Sequence, residues 1–236
     1  MFQFIQHCIS DFIDLLFPDL CVGCDQLLNT SEKYICSHCR MNLPETGHHR
    51  EPYDQILLNK FAGKVPIQFI ASYVYFTKGS SVQKIIHQIK YKGQKEAAKE
   101  IARWYGYLLK SESKAVEAID VVISVPLHKS RLQQRGYNQA DWIAEGLAEA
   151  LEIPVCKDVV IRNQFKESQT NKNRLERWEN VKSAFSVLNS ESVLDKHVAI
   201  VDDVLTTGAT IEACATELLK AGCRSVSVLT LAVAGR

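Results

Sequence analysis

The chain has 236 residues, a formal net charge of +1 and 46% hydrophobic residues. Those numbers fit one ordinary α/β domain with a small appendage, and they exclude a highly charged disordered chain. No apolar run approaches the ~20 residues of a membrane helix, so no membrane insertion is expected, and any polyanion site must come from a local cluster. At the N-terminus, Phe4, Ile5, Cys8, Ile9, Phe12, Ile13, Leu16 and Phe17 recur at roughly helical spacing. The segment lacks a basic start, and Asp11 and Asp14 interrupt it, which argues against a secretory signal. It reads as a helix packed on the protein, or as one that docks a partner.

Next comes Cys21-x2-Cys24-x11-Cys36-x2-Cys39. Two CxxC knuckles place four thiolates for a tetrahedral Zn²⁺ and leave no open position, so the metal reads as structural. A piece this short cannot bury enough apolar surface to fold alone, and metal binding supplies the difference. A redox CxxC pair or bound iron is the alternative, and His38 reads as a bystander. The remaining cysteines, Cys8, Cys156, Cys214 and Cys223, are scattered. Without a secretion signal they read as reduced core thiols, which places the protein in the cytoplasm.

The division is residues 1–45 for helix and zinc ribbon, 46–65 for a linker, and 66–236 for the main domain. In the last, strands and helices alternate as in βα units. Strands are expected at 67–76, 121–125, 154–161, 197–201 and 225–233. Helices are expected at 81–91, 96–110, 138–151 and 209–220. The sum is a mostly parallel sheet with helices on both faces.

The segment Val198–Thr210, VAIVDDVLTTGAT, holds the most informative chemistry. A buried strand is followed by Asp202 and Asp203, a Thr/Gly turn, and a helix. Ligands of open α/β sheets bind beyond the carboxyl ends of strands, and a helix start offers free N–H groups to a phosphate. Thr206, Thr207 and Thr210 add hydroxyls, Gly208 and Ala209 keep the turn small, and the aspartates could accept from vicinal hydroxyls. A capped helix beside two solvated aspartates is the plainer alternative.

VDDVLTTGAT resembles the signature of type I phosphoribosyltransferases, which bind phosphoribosyl pyrophosphate (PRPP). The resemblance implies that Asp202 and Asp203 hold the ribose hydroxyls. It assigns the 5-phosphate to Thr206, Thr207, Gly208, Ala209 and Thr210. Release of pyrophosphate calls for Mg²⁺ and basic groups. Candidates are Arg131 and Arg135 in the loop PLHKSRLQQRGYNQ, with His128 and Lys129 weaker and Asn138 and Gln139 as further donors. The 162–182 segment carries six basic and three acidic side chains. It reads as a lid, with Lys166 and Arg177 toward the leaving group, or as a solvated face.

Taken together, the zinc ribbon, KYKG at 90–93, SVPLHKSRLQQRGYNQA, a Gln169…Arg177…Asn180…Phe185 run and VDDVLTTGAT resemble the ComF family. That family joins a zinc finger to a phosphoribosyltransferase-like domain. It includes late competence proteins tied to uptake of single-stranded transforming DNA. In the 162–182 run, Lys172 stands where relatives carry an apolar residue and Lys166 where they carry Thr.

Three functions follow. One is pentosyl transfer from PRPP with Mg²⁺ to an unknown acceptor. Another is sensing of PRPP without chemistry. The third is single-stranded DNA binding with competence-machinery partners, along Lys84, Lys90, Lys92, Lys95, Lys99 and Arg103 with Tyr91, Trp104 and Tyr105 interleaved. Tyr91 and Tyr137 could also stack on a base.

Overall fold

The computed structural model describes residues 18–163 and 184–235. The N-terminal helix expected before Pro18 and the 164–183 part of the expected lid, with Lys166 and Arg177, lie outside them.

In chain order the elements are α1 (Ser37–Met41), α2 (Gln55–Leu58), β1 (Ile70–Phe76), α3 (Ser81–Tyr91), α4 (Lys95–Glu112), β2 (Val121–Ser124), α5 (Lys129–Arg135), α6 (Gln139–Leu151), β3 (Val160–Arg162), β4 (Phe185–Val187), β5 (His197–Leu205), α7 (Ala209–Lys220) and β6 (Ser225–Ala234). Four strands form a parallel sheet in the order β1-β6-β5-β2.

The strands are apolar on both faces, as buried parallel strands must be. Along β5, Val198 and Ile200 point to one core cluster and Ala199 and Val201 to the other, the period of two that a strand dictates. One face is covered by α3, α4 and α6, through Ile85, Ile89, Ala98, Tyr105, Ile143 and Leu147. The other is covered by α7, through Ile211, Cys214 and Leu218. α4 and α6 pack so closely that a Cβ at Gly146 would run into the Lys99 carbonyl.

The structure departs from expectation in four places. The strand expected at 154–161 is divided: Val155 makes a parallel bridge to Val122, while β3 turns away to pair antiparallel with β4. Between them Asp158 has φ +58°, a left-handed residue that ends one extension before the next begins. Residues 129–135, read as loop, form α5, capped by the His128 side chain and closed by left-handed Gly136. β5 continues to Leu205, so the aspartates lie on the strand and not after it. Finally, the 46–65 stretch packs against the main domain. Leu57, Phe61 and Val65 are buried in the α7-side core, and Asp54 caps α2 by accepting from the Ile56 and Leu57 N–H groups.

The cysteine-bearing segment also packs on this body. Cys21, Val22, Ile35 and Cys39 share a core with Ile85 and Ile86 of α3, and Lys84 pairs with Asp25. The chain then leaves along β1, where Thr46 N donates to Tyr73 O at 2.9 Å and Tyr75 N donates to Pro44 O at 2.8 Å.

Candidate functional site

β5 is a central strand, hydrogen-bonded on both sides, and it carries Asp202 and Asp203 toward its carboxyl end. The backbone then turns through Thr206 and Thr207 to Gly208, which caps α7 with φ +83°. Only glycine adopts that conformation readily, and the site is tight as well: a Cβ there would stand 2.7 Å from Cζ of Phe61. Asp202, residues 204–211 and their backbone enclose a small concavity of ≈ 40 Å³. The helix start faces this hollow: Gly208 has no side chain to cap it, Thr207 Oγ1 accepts from the Ala209 N–H at a long 3.5 Å, and the start of a helix favours an anion.

The segment before β1 supplies the floor and a cation. Phe61 lies under Gly208, and Lys60 Nζ donates to Thr206 O at 3.1 Å. Sequence reading missed both. The i, i+4, i+8 spacing of Leu57, Phe61 and Val65 is a signal that this stretch has an inner face, but it lies among polar residues and α2 spans only four positions.

The two aspartates differ in environment. Asp203 is buried, and its Oδ1 accepts from Lys90 Nζ at 2.9 Å. Its other oxygen, Oδ2, is buried without a hydrogen-bond partner among the described residues. Asp202 Oδ1 accepts from the Asp203 backbone N–H at 2.8 Å. Burial, reinforced by the negative charge of Asp203, pushes the Asp202 carboxyl up to about 7; that N–H, Lys90 and Arg162 oppose the rise.

Across α3, the residues expected to hold a leaving group are partly engaged elsewhere. Arg135 donates to Gln139 Oε1 at 2.8 Å and to Tyr91 Oη at 3.3 Å, with its guanidinium 4.8 Å from the Tyr91 ring centre. Tyr137 donates to Ile89 O. Asn138 uses its amide on Val125 O and Asp141. Burial raises the Asp141 carboxyl, against the hydrogen bonds from Ser124 and Asn138. Arg131 is exposed on α5. Thus α3 ends between the two regions: Lys90 reaches the acidic pair, and Tyr91 reaches Arg135.

The four cysteines meet as the spacing predicts. Their Sγ atoms all lie within 4.8 Å of one another and could hold a metal ion. Backbone N–H groups of Gly23 and Cys36 point at Cys21 Sγ at 3.4 and 3.3 Å, and that of Cys39 points at Cys36 Sγ at 3.4 Å. Such donors stabilise thiolates. His38 is exposed and outside the cluster.

The profile described as the phosphoribosyl transferase domain matches residues 140–236. DNA utilization protein YhgH of Salmonella typhimurium is 31% identical over 230 residues, covering 92% of this chain and 98% of that protein. Competence protein F of Haemophilus influenzae is 29% identical over 222 residues, covering 90% and 96%. The chain belongs to the ComF family. Competence protein ComFC of Bacillus subtilis matches more distantly, at 27% over 233 residues, with 97% and 91% covered. The ComF fold here is that of type I phosphoribosyltransferases, a parallel sheet flanked by helices, with the four-cysteine cluster on its N-terminal side. Among the described residues, no helix is long and apolar enough to cross a membrane.

Proposed function

We propose that the protein binds Mg²⁺-PRPP, with Asp202 and Asp203 on the ribose hydroxyls and residues 206–210 on the 5-phosphate. The observation that carries this reading is the continuity of the cradle. One strand presents two carboxylates, and the turn that follows it leads into a helix start with three threonines around it. The spare Oδ2 of Asp203 has room in its chemistry for a hydroxyl donor. Lys60 beside Thr206 adds positive charge where the phosphate would lie. Arg131 and Arg135 remain the described candidates for the leaving group, Arg135 after release from Tyr91. Mg²⁺ would neutralise the pyrophosphate charge as the anomeric bond breaks.

The same reading assigns Zn²⁺ to Cys21, Cys24, Cys36 and Cys39 as a structural ion. The names of the relatives, competence protein and DNA utilization protein, support a role in the handling of incoming DNA, and the proposal sets that role in the cytoplasm. Titration calorimetry with Mg²⁺-PRPP tests the core of it. The wild type binds, and a variant carrying Asp202→Asn and Asp203→Asn does not. A wild type without affinity for PRPP overturns the reading. Release of pyrophosphate on binding separates transferase from sensor.

A further inference from the structure

Asp203 is held in an unusual way for a carboxylate that would meet ligand. Its side chain is 6% exposed, one oxygen is in an ion pair with Lys90, and the other oxygen is buried with no partner among the described residues. A buried carboxylate with an unused oxygen is costly unless something compensates its charge and occupies its lone pairs. Lys90 provides the first. It sits at the end of α3, its side chain 23% exposed, and the helix carrying it is fixed at several points. Ile85, Ile86 and Ile89 are in the core. Tyr137 donates to the Ile89 carbonyl, and Tyr91 carries Arg135. Lys90 therefore cannot move far without disturbing the α5–α6 corner.

We infer that Lys90 is a positioning residue for the ribose site: it neutralises Asp203 and fixes its carboxylate plane so that Oδ2 faces a ribose hydroxyl. This inference rests on the PRPP reading of the cradle. It also removes Lys90 from the exposed basic stripe and gives the KYKG segment a role in ligand binding. The groups around Asp202 and Asp203 that bear on the charge balance are Lys90 from α3, Arg162 from β3 and the Cys214 thiol from α7. Lys90 is the cation among them in direct contact with Asp203.

The test compares wild type, Lys90→Met and Lys90→Arg by calorimetry with Mg²⁺-PRPP across pH 6 to 9. Thermal melting first confirms that each variant is folded. The expected result is at least tenfold weaker binding in Lys90→Met, with the pH midpoint of binding displaced upward by about one unit, and recovery to within threefold in Lys90→Arg. Loss of the ion pair that orients Asp203 predicts the weaker binding, and loss of a cation that holds the Asp202 carboxyl down predicts the upward displacement. Lys90→Met binding within twofold of wild type with the same midpoint overturns this inference and leaves the PRPP reading standing. Equal weakening in Lys90→Arg without a displaced midpoint also overturns it, since that is the mark of packing alone. Absence of binding in the wild type overturns both. Should Lys90→Met not fold, Lys90→Gln and Lys90→Arg carry the same comparison.

Discussion

Phe61 lies directly beneath Gly208, so that a methyl group added at 208 would stand 2.7 Å from the ring. The relationship joins the stretch before β1 to the Thr/Gly turn 147 residues later. Gly208→Ala must adopt φ near +83° and push a fully buried ring aside. The expected cost is about 1–3 kcal/mol, with PRPP affinity reduced by tenfold or more because the turn opens. Urea unfolding and calorimetry on the same preparation check this. A Gly208→Ala protein as stable as wild type would show that Phe61 is free to move.

Asp202 gives stability a pH dependence opposite to that of an ordinary carboxylate. Its pKa is raised from 3.8 to about 7 in the folded protein. Between those values the folded state binds more protons than the unfolded state, so stability falls as pH rises from about 4 to about 7. Asp202→Asn removes that slope. It is expected to gain stability relative to wild type through this window and to hold the gain above pH 7. Urea midpoints at pH 5, 6, 7 and 8 measure the difference, and parallel curves for the two proteins would refute the assignment. For ligand, the ionised carboxylate accepts hydroxyl donors, so PRPP affinity in the wild type rises through pH 7. The PRPP phosphate also titrates nearby. Lys90→Met, which moves the carboxylate and not the phosphate, separates the two.

Much of this was legible from residue order. The strands at β1, β2, β5 and β6 are apolar runs bounded by turn residues, and their helices carry clear inner faces, so the sheet and the succession of strand, acidic pair, Thr/Gly turn and helix could be read. What could not be read depends on contacts between distant positions. Lys90 follows Ile89 like any basic residue at a helix end; only the packing of α3 against β1 and α4 brings it to Asp203. Tyr105 alternates with cations in sequence yet is fully buried, stacked 4.8 Å from Tyr73. The extension of β5 through the aspartates was hidden because charge normally ends a buried strand. Here Asp202 pairs in register with Thr230 of β6.

The cysteine cluster is expected to stabilise more than itself. Cys21, Val22, Ile35 and Cys39 are part of the core that covers α3. Stripping metal with a strong chelator leaves four thiolates close together, three of them buried, or protonated thiols that no longer define the knuckles. A loss of at least about 3 kcal/mol corresponds to a Tm lower by about 6–12 °C for a domain this size. Elemental analysis should find one zinc per chain before treatment, and calorimetric melting should show the drop after it. Purified protein without bound metal, melting at the same temperature with and without chelator, would contradict the structural role.

The basic residues of α3 and α4 make a weaker DNA surface than their number suggests. Lys84 pairs with Asp25 and Lys90 with Asp203. Lys99 pairs with Glu149 at 3.1 Å, and Arg103 pairs with Glu100 and Glu149. Lys95 lies 4.7 Å from the Trp142 ring centre. Of the six, Lys92 is exposed and has no ion pair among the described residues. Trp104 is taken up by Arg40, 4.1 Å from its ring centre, and by Glu100, and Tyr105 offers no ring to stack. A face that neutralises two phosphates or fewer gives log K against log salt a slope no steeper than about −1.4 for a single strand. Fluorescence anisotropy with oligo-dT between 50 and 200 mM salt should show that shallow dependence, unchanged by Lys99→Glu. A slope near −4 that collapses in Lys99→Glu or Arg103→Glu would instead place single-stranded DNA on this face, with the glutamates displaced on binding.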